Sequence, residues 1–228
     1  MNFFYNRTAY KILNVEIPKC FLRLDFFFPS GKSLVEIDLV ENICRRMADV
    51  EYYANEIGIN LKRKTNLWNE TILIGTLLVS YYMSCKSLLD AIAISLNYIY
   101  GLSLSEKEQD FTKKKFWDHL EKKDKKIYKK YQSFKKLSYE IRDWRDAAIH
   151  RVTPFVIVVG PGNPGEIPSK KFNIKLISEK GVSMYNLVSR KSKPKFLNPL
   201  YHYFKWRSSL LKLCEDICED IEDSLENK

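Results

Sequence analysis

The stretch "TILIGTLLVSYYMSCKSLLDAIAISLNYIY", residues 71–100, decides the fold. It is apolar enough to raise the question of a membrane span. A span needs about 20 consecutive apolar residues. Lys86 and Asp90 interrupt this run, and 71–85 alone falls short. Apolar residues lie on most sides of the implied helix, which is the pattern of a helix enclosed by other helices. The stretch predicts a central helix over about 67–99, stopped by Gly101, inside a helical bundle.

The flanking sequence supplies the partners. Upstream, Leu34, Ile37, Val40, Ile43, Met47 and Val50 recur three or four apart and predict an amphipathic helix over about 34–58. Downstream, Ile127, Tyr131, Phe134, Leu137, Ile141, Trp144 and Ala148 trace a second such stripe and predict a helix over roughly 121–150; Pro154 bars its continuation. Near the end, Tyr203, Trp206, Leu210, Leu213, Ile217, Ile221 and Leu225 predict a helix over about 199–226. Between the last two, "FVIVVG" (155–160) and "FNIKLIS" (172–178) are strand-like and flank the turn-rich "PGNPGEIPSKK". The expected fold is mainly α, a four-helix bundle over 33–228 with a β-hairpin insertion at about 152–186. Residues 1–32 alternate short apolar runs with breakers and are expected to form an N-terminal arm or strands.

Composition narrows the classes. The chain has 228 residues, enough for one domain with a substantial core, and only 8 Gly and 8 Pro, which disfavours a loop-rich all-β chain. Five cysteines without a CxxC pair read as free thiols in a reducing compartment rather than a disulfide framework. Cys214 and Cys218 share a helix face without a neighbouring His, so no metal site and no cofactor is expected. The first residues lack the apolar core of a signal peptide. The expected location is the cytoplasm, with no membrane partner. The net charge of +10 is compatible with a phosphate-bearing partner. Residues 105–136 hold 12 Lys against 6 Asp or Glu. This segment, with Phe111, Phe116, Trp117, Tyr128 and Tyr131, reads either as a nucleic-acid surface or as a solvated face docked near the acidic end of the last helix.

Several motifs fail on inspection. "GKS" at 31–33 lacks the glycine of a phosphate-binding loop five positions earlier, where Phe26 stands. "GPGNPG" at 160–165 precedes no helix. His119 has no second ligand at metal spacing, and His202, in "LYHYFKW", reads as a packed core histidine.

"IRDWRDAAIH", residues 141–150, carries the candidate chemistry. With Ile141, Trp144 and Ala148 facing the core, Arg142, Asp146 and His150 form an outward line at i, i+4 and i+8. Arg145 sits on the flank of the seam. The plain reading is a surface charge ladder worth tenths of a kcal/mol per pair. Against it, His150 occupies a helix C-terminus, where exposed carbonyls favour an imidazolium and allow titration near neutral pH. Ala147 is small enough to admit another surface.

"RDAAIH", an Arg-x4-His motif with a polar residue after the Arg, at the end of the third long helix, resembles the HEPN (higher eukaryote and prokaryote nucleotide-binding) family. "SYYMSCKSLLDAIAISLN" resembles its second helix. The resemblance covers roughly 34–226 without the hairpin. The resemblance implies a metal-independent ribonuclease acting as a homodimer, with Arg145 and His150 catalytic and Arg142, Asp146 and Arg151 binding substrate. It also implies RNA as the partner, with an antitoxin or other protein partner in a toxin–antitoxin or phage-defence setting. Many members only bind or scaffold, so a noncatalytic module binding nucleotide, RNA or a protein stands beside this reading. The sequence departs from the family in having Asp146 where Asn is frequent, and in its insertion. The residue types suit the chemistry. Metal-free RNA cleavage needs a base for the 2′-OH, an acid for the 5′-oxygen and a cation for the phosphorane. Arg145 and His150 point about 140° apart on one ideal helix, which favours completing the site from two chains.

Overall fold

The computed structural model describes residues 34–62, 68–150, 156–159, 169–173 and 196–226. Helix α1 spans Leu34–Lys62 and α2 spans Trp68–Tyr100. A connector leads to α3 (Lys114–Lys123), α4 (Lys125–Tyr131), a 3-10 turn at Gln132–Phe134 and α5 (Lys135–His150). Short strands β1 (Val156–Val159), β2 (Ser169–Asn173) and β3 (Phe196–Leu197) precede α6 (Tyr201–Glu226).

The chain is mainly helical and forms a bundle about α2, which packs against α1, α5 and α6. Its apolar positions explain this. Ile74, Leu78, Tyr82, Cys85, Leu88, Leu89, Ile92 and Leu96 are fully buried. Each such aliphatic side chain contributes roughly 1.5–3 kcal/mol by leaving water. The helix Ile72–Tyr100 is long and apolar enough to cross a membrane by length and composition, yet half of its apolar window is buried against its neighbours. Its C-terminus closes as the glycine predicts. Gly101 has φ +55°, and the Gly101 and Leu102 amides donate to the carbonyls of Tyr98 and Asn97, which satisfies the last orphan carbonyls.

The expected seams are observed where they are described. Val40, Ile43, Met47 and Val50 of α1 are buried, as are Trp206, Leu210, Leu213, Ile217 and Ile221 of α6. A buried polar clip adds to them. The Glu51 carboxylate of α1 accepts from Arg207 Nε at 2.8 Å and Tyr203 Oη at 2.7 Å on α6. His202 is fully buried among aromatics, with Nδ1 2.9 Å from Tyr82 Oη and its ring 4.1 Å from that of Trp144. Burial holds its pKa down at about 3.

One expectation needs correction. The helix expected over roughly 121–150 is three pieces. Asp124 breaks it by turning its own carboxylate onto the amides of Lys126 and Ile127, capping α4. The turn at Gln132–Phe134 then offsets α4 from α5. The stripe survives because Tyr131, Phe134, Ile141, Trp144 and Ala148 remain buried across the break.

Among the strands, β1 pairs antiparallel with β2, and β2 with β3. The segments that would join them, 160–168 and 174–195, lie outside the described residues. So do the expected arm at 1–32, the "GPGNPG" turn, and the expected strand beyond Asn173.

Candidate functional site

Helix α5 carries the candidate residues, and its inner face fixes their direction. Ile141, Trp144, Ala147 and Ala148 are buried, and the Trp144 ring stacks 5.9 Å from that of Tyr82 on α2. The opposite arc is left to Arg142, Arg145, Asp146 and Ile149. Ile149 is 40% exposed. Ala147, expected to admit another surface, instead faces inward and is buried. It lies roughly 140° round from Arg142, on the core side.

The arginines are both half-buried and both engaged. Arg142 donates through Nη1 to the Thr112 carbonyl at 3.0 Å and through Nε and Nη2 to Asp143 Oδ1, and it lies over the Tyr139 ring. Arg145 pairs with Asp146 at 2.6 Å. The Arg142–Asp146 rung of the expected ladder is therefore replaced by pairs between sequence neighbours. His150 is the last residue of α5. Its side chain and all of Arg151 lie outside what is described.

The sequence reading missed the charged cluster behind the arginines. Lys86 of α2 is buried, with Nζ 2.5 Å from Asp90 Oδ1 and 3.2 Å from Asp110 Oδ1. The same Asp110 oxygen accepts from Thr112 N at 2.9 Å and Thr112 Oγ1 at 2.7 Å. The connector is thereby tied to α2 by Lys86 and to α5 by the Thr112 carbonyl on Arg142. The electrostatics of the two carboxylates diverge. Burial pushes Asp90 up, despite its bond to Lys86 and the more distant Arg145 charge. Burial also pushes on Asp110, but the Thr112 hydrogen bonds and the Lys86 charge outweigh it, so its pKa is lowered. The signal was in the sequence. A Lys–Asp pair at i, i+4 inside an otherwise enclosed helix has to be compensated, and it marks where a polar partner enters the core.

The arrangement brings Arg142 and Arg145 onto one exposed arc beside the helix end that holds His150, with Lys86, Asp90 and Asp110 behind them. It can receive an anion if the guanidiniums leave Asp143 and Asp146. Among the described residues no three His, Cys, Asp or Glu side chains converge as metal ligands. No family model, curated protein or solved structure matches this chain.

Proposed function

We propose that this chain is a metal-independent endoribonuclease of the HEPN type. It works as a cytoplasmic homodimer in a toxin or phage-defence role, paired with an antitoxin or other protein partner. The finer architecture belongs to the same proposal: a four-helix HEPN-like bundle with a β-hairpin insertion at about 152–186. The observation that supports it best is the pair of half-buried guanidiniums, Arg142 and Arg145, on the free arc of the helix that ends at His150. In the proposed reaction one imidazole takes the 2′-OH proton, and the 2′-oxygen attacks phosphorus. Arg145 balances charge on the phosphorane. The imidazole of the second protomer gives a proton to the departing 5′-oxygen, leaving a 2′,3′-cyclic phosphate. Arg142 and Arg151 hold flanking phosphates, and Asp146 orients the site.

One observation favours a second reading, a noncatalytic module that binds nucleotide, RNA or a protein. Both guanidiniums are already neutralised by neighbouring carboxylates, and a carboxylate at this place opposes a phosphate. One experiment separates the two. On the catalytic reading, purified protein cleaves RNA in the presence of chelator, His150→Ala abolishes cleavage, and Arg145→Ala lowers it comparably, since both act on one transition state. RNA with 2′-deoxy at the cleaved position survives. Asp146→Asn releases Arg145 and lowers KM roughly 5-fold, the scale of one half-exposed ion pair. Absence of cleavage by the parent protein, or cleavage that requires magnesium, overturns the catalytic reading.

A further inference from the structure

The lysine-rich segment answers a different question from the arginine pair, because the structure settles what its aromatics do. Phe111, Phe116, Trp117 and Tyr131 are all fully buried. The Phe111 and Trp117 rings meet at 4.6 Å, and Trp117 Nε1 donates to the Phe111 carbonyl at 2.9 Å. The Lys135 ammonium lies over both Trp117 and Tyr128. These rings are a small core and are not available to stack on bases. They hold α3 and α4 as a firm platform, which is fastened to α6 where Tyr131 and Lys130 both bond Asp220.

The outside of that platform is net positive, with Lys122, Lys123, Lys125, Lys126 and Lys129 against Glu121 and Asp124. All six residues from Glu121 to Lys126 are exposed, and so is Lys129. Three lysines of the segment are occupied internally: Lys113 with Asp110, Lys115 with Glu108, and Lys130 with Asp220. Among the described residues, Lys122, Lys123, Lys125, Lys126 and Lys129 make no ion pair. The carboxylate in their midst, Asp124, is turned onto the amides of Lys126 and Ile127. On ideal geometry Lys126 and Lys129 lie about 140° and 160° round α4 from the buried Tyr131.

We propose that this five-lysine surface docks the sugar-phosphate backbone of RNA, apart from the arginines of α5. The composition favours that partner over the other polyanions. Protein interfaces take most of their energy from buried aromatic and arginine anchors, and the segment 105–136 contains no Arg and exposes no large apolar side chain. Surface helices that enter a membrane add an inserted apolar face, which is missing here as well. Lysines without stacking rings or bidentate groups neutralise phosphates and read no sequence. The platform therefore supplies sequence-independent, salt-sensitive affinity. It does so whether or not the α5 site cleaves.

The test uses the full chain and a 20-nucleotide single-stranded RNA with 2′-O-methyl groups throughout, which cannot be cleaved through a 2′-oxygen. Binding is followed by fluorescence anisotropy across a salt series. Five lysines on single-stranded RNA contribute about −3.5 to the slope of log K against log salt. Replacing all five by Gln makes the slope shallower by about that amount and weakens binding at least 10-fold at low salt. Replacing all five by Arg keeps the charge and restores both. The positions are exposed, and circular dichroism of each variant verifies the fold. Unchanged slope and affinity in the Gln variant overturn the inference. So does tighter binding of the parent to phosphatidylserine vesicles than to RNA, with the same loss in the Gln variant. The outcomes are separable from the fate of the proposed nuclease. Lysine-dependent binding by a protein that cleaves no RNA leaves this inference standing and removes the nuclease; cleavage with lysine-independent binding does the reverse.

Discussion

At the scale of single residues, Lys86 shows how a charge can be held inside an apolar helix. Its ammonium is shared between Asp90 and Asp110, and neither carboxylate has another cation as close. Lys86→Met keeps the stem and removes the charge. It leaves two acids facing each other near the core, and the expected cost is about 3 kcal/mol in denaturant unfolding at pH 7. Asp90 already has a raised pKa in the folded state. Protonating it as pH falls relieves the repulsion, so the deficit of the variant should narrow toward pH 5. A deficit below about 0.5 kcal/mol at pH 7 would show that the cluster is solvated and structurally idle. His202 gives the opposite pH dependence. Its folded pKa is about 3, while the unfolded side chain titrates near its ordinary value of about 6.5. Between those values the unfolded state binds the extra proton, so stability falls as pH falls. From pH 7 to pH 5 this loss is about 2 kcal/mol. His202→Phe removes that dependence, though stranding the Tyr82 hydroxyl lowers the plateau by about 1–3 kcal/mol. Equal pH slopes for parent and variant would contradict a neutral buried ring.

Elements are where the sequence was most and least legible, and the reasons are physical. The spans of α1 and α6 follow from long three-four stripes, and that of α2 from an apolar run stopped by Gly101. Gly101 has the positive φ that a helix stop requires, and the described seam positions from Val40 to Val50 and from Trp206 to Ile221 are buried. The third long helix was misread because periodicity records which face is buried and not whether the backbone is continuous. Tyr131, Phe134 and Ile141 keep facing the core across the turn at Gln132–Phe134. The overlooked signal was Asp124, an N-cap residue in the middle of a lysine run. Lys86 and Asp90 were read only as interruptions of a membrane span, because their partner Asp110 comes from a connector whose path no periodicity predicts. The cap can be tested directly. Asp124→Ala strands two amides, costs about 1 kcal/mol, and speeds hydrogen exchange at Lys126 and Ile127 roughly 5-fold. Asp124→Asn keeps an accepting oxygen and holds exchange near the parent rate. Unaltered exchange in the alanine variant would mean that the carboxylate does not hold the break.

For the whole molecule, a second copy could cover either of two surfaces among the described residues, and they make different predictions. One is the free arc of α5, where Ile149 lies between Arg145 and Arg142, within about 40° of each on an ideal helix. The other is a stripe on α2, where Ile72, Met83, Ile94 and Tyr98 are exposed. The proposed nuclease needs the first, because Arg145 and His150 of one chain point apart and a two-fold axis beside α5 brings both kinds of group together. Ile149 takes over the role that buried Ala147 cannot play. Light scattering at tens of micromolar should then give twice the 27.0 kDa chain mass. Ile149→Glu places a charge beside its symmetry mate and should yield monomer, with cleavage lost alongside. Met83→Glu and Ile94→Glu should leave mass and cleavage unchanged. Dissociation by the α2 variants alone would move the interface to that helix and separate the two α5 arcs. A monomer in the parent protein would remove the two-chain site altogether, since no distortion of α5 is described that turns Arg145 toward the helix end.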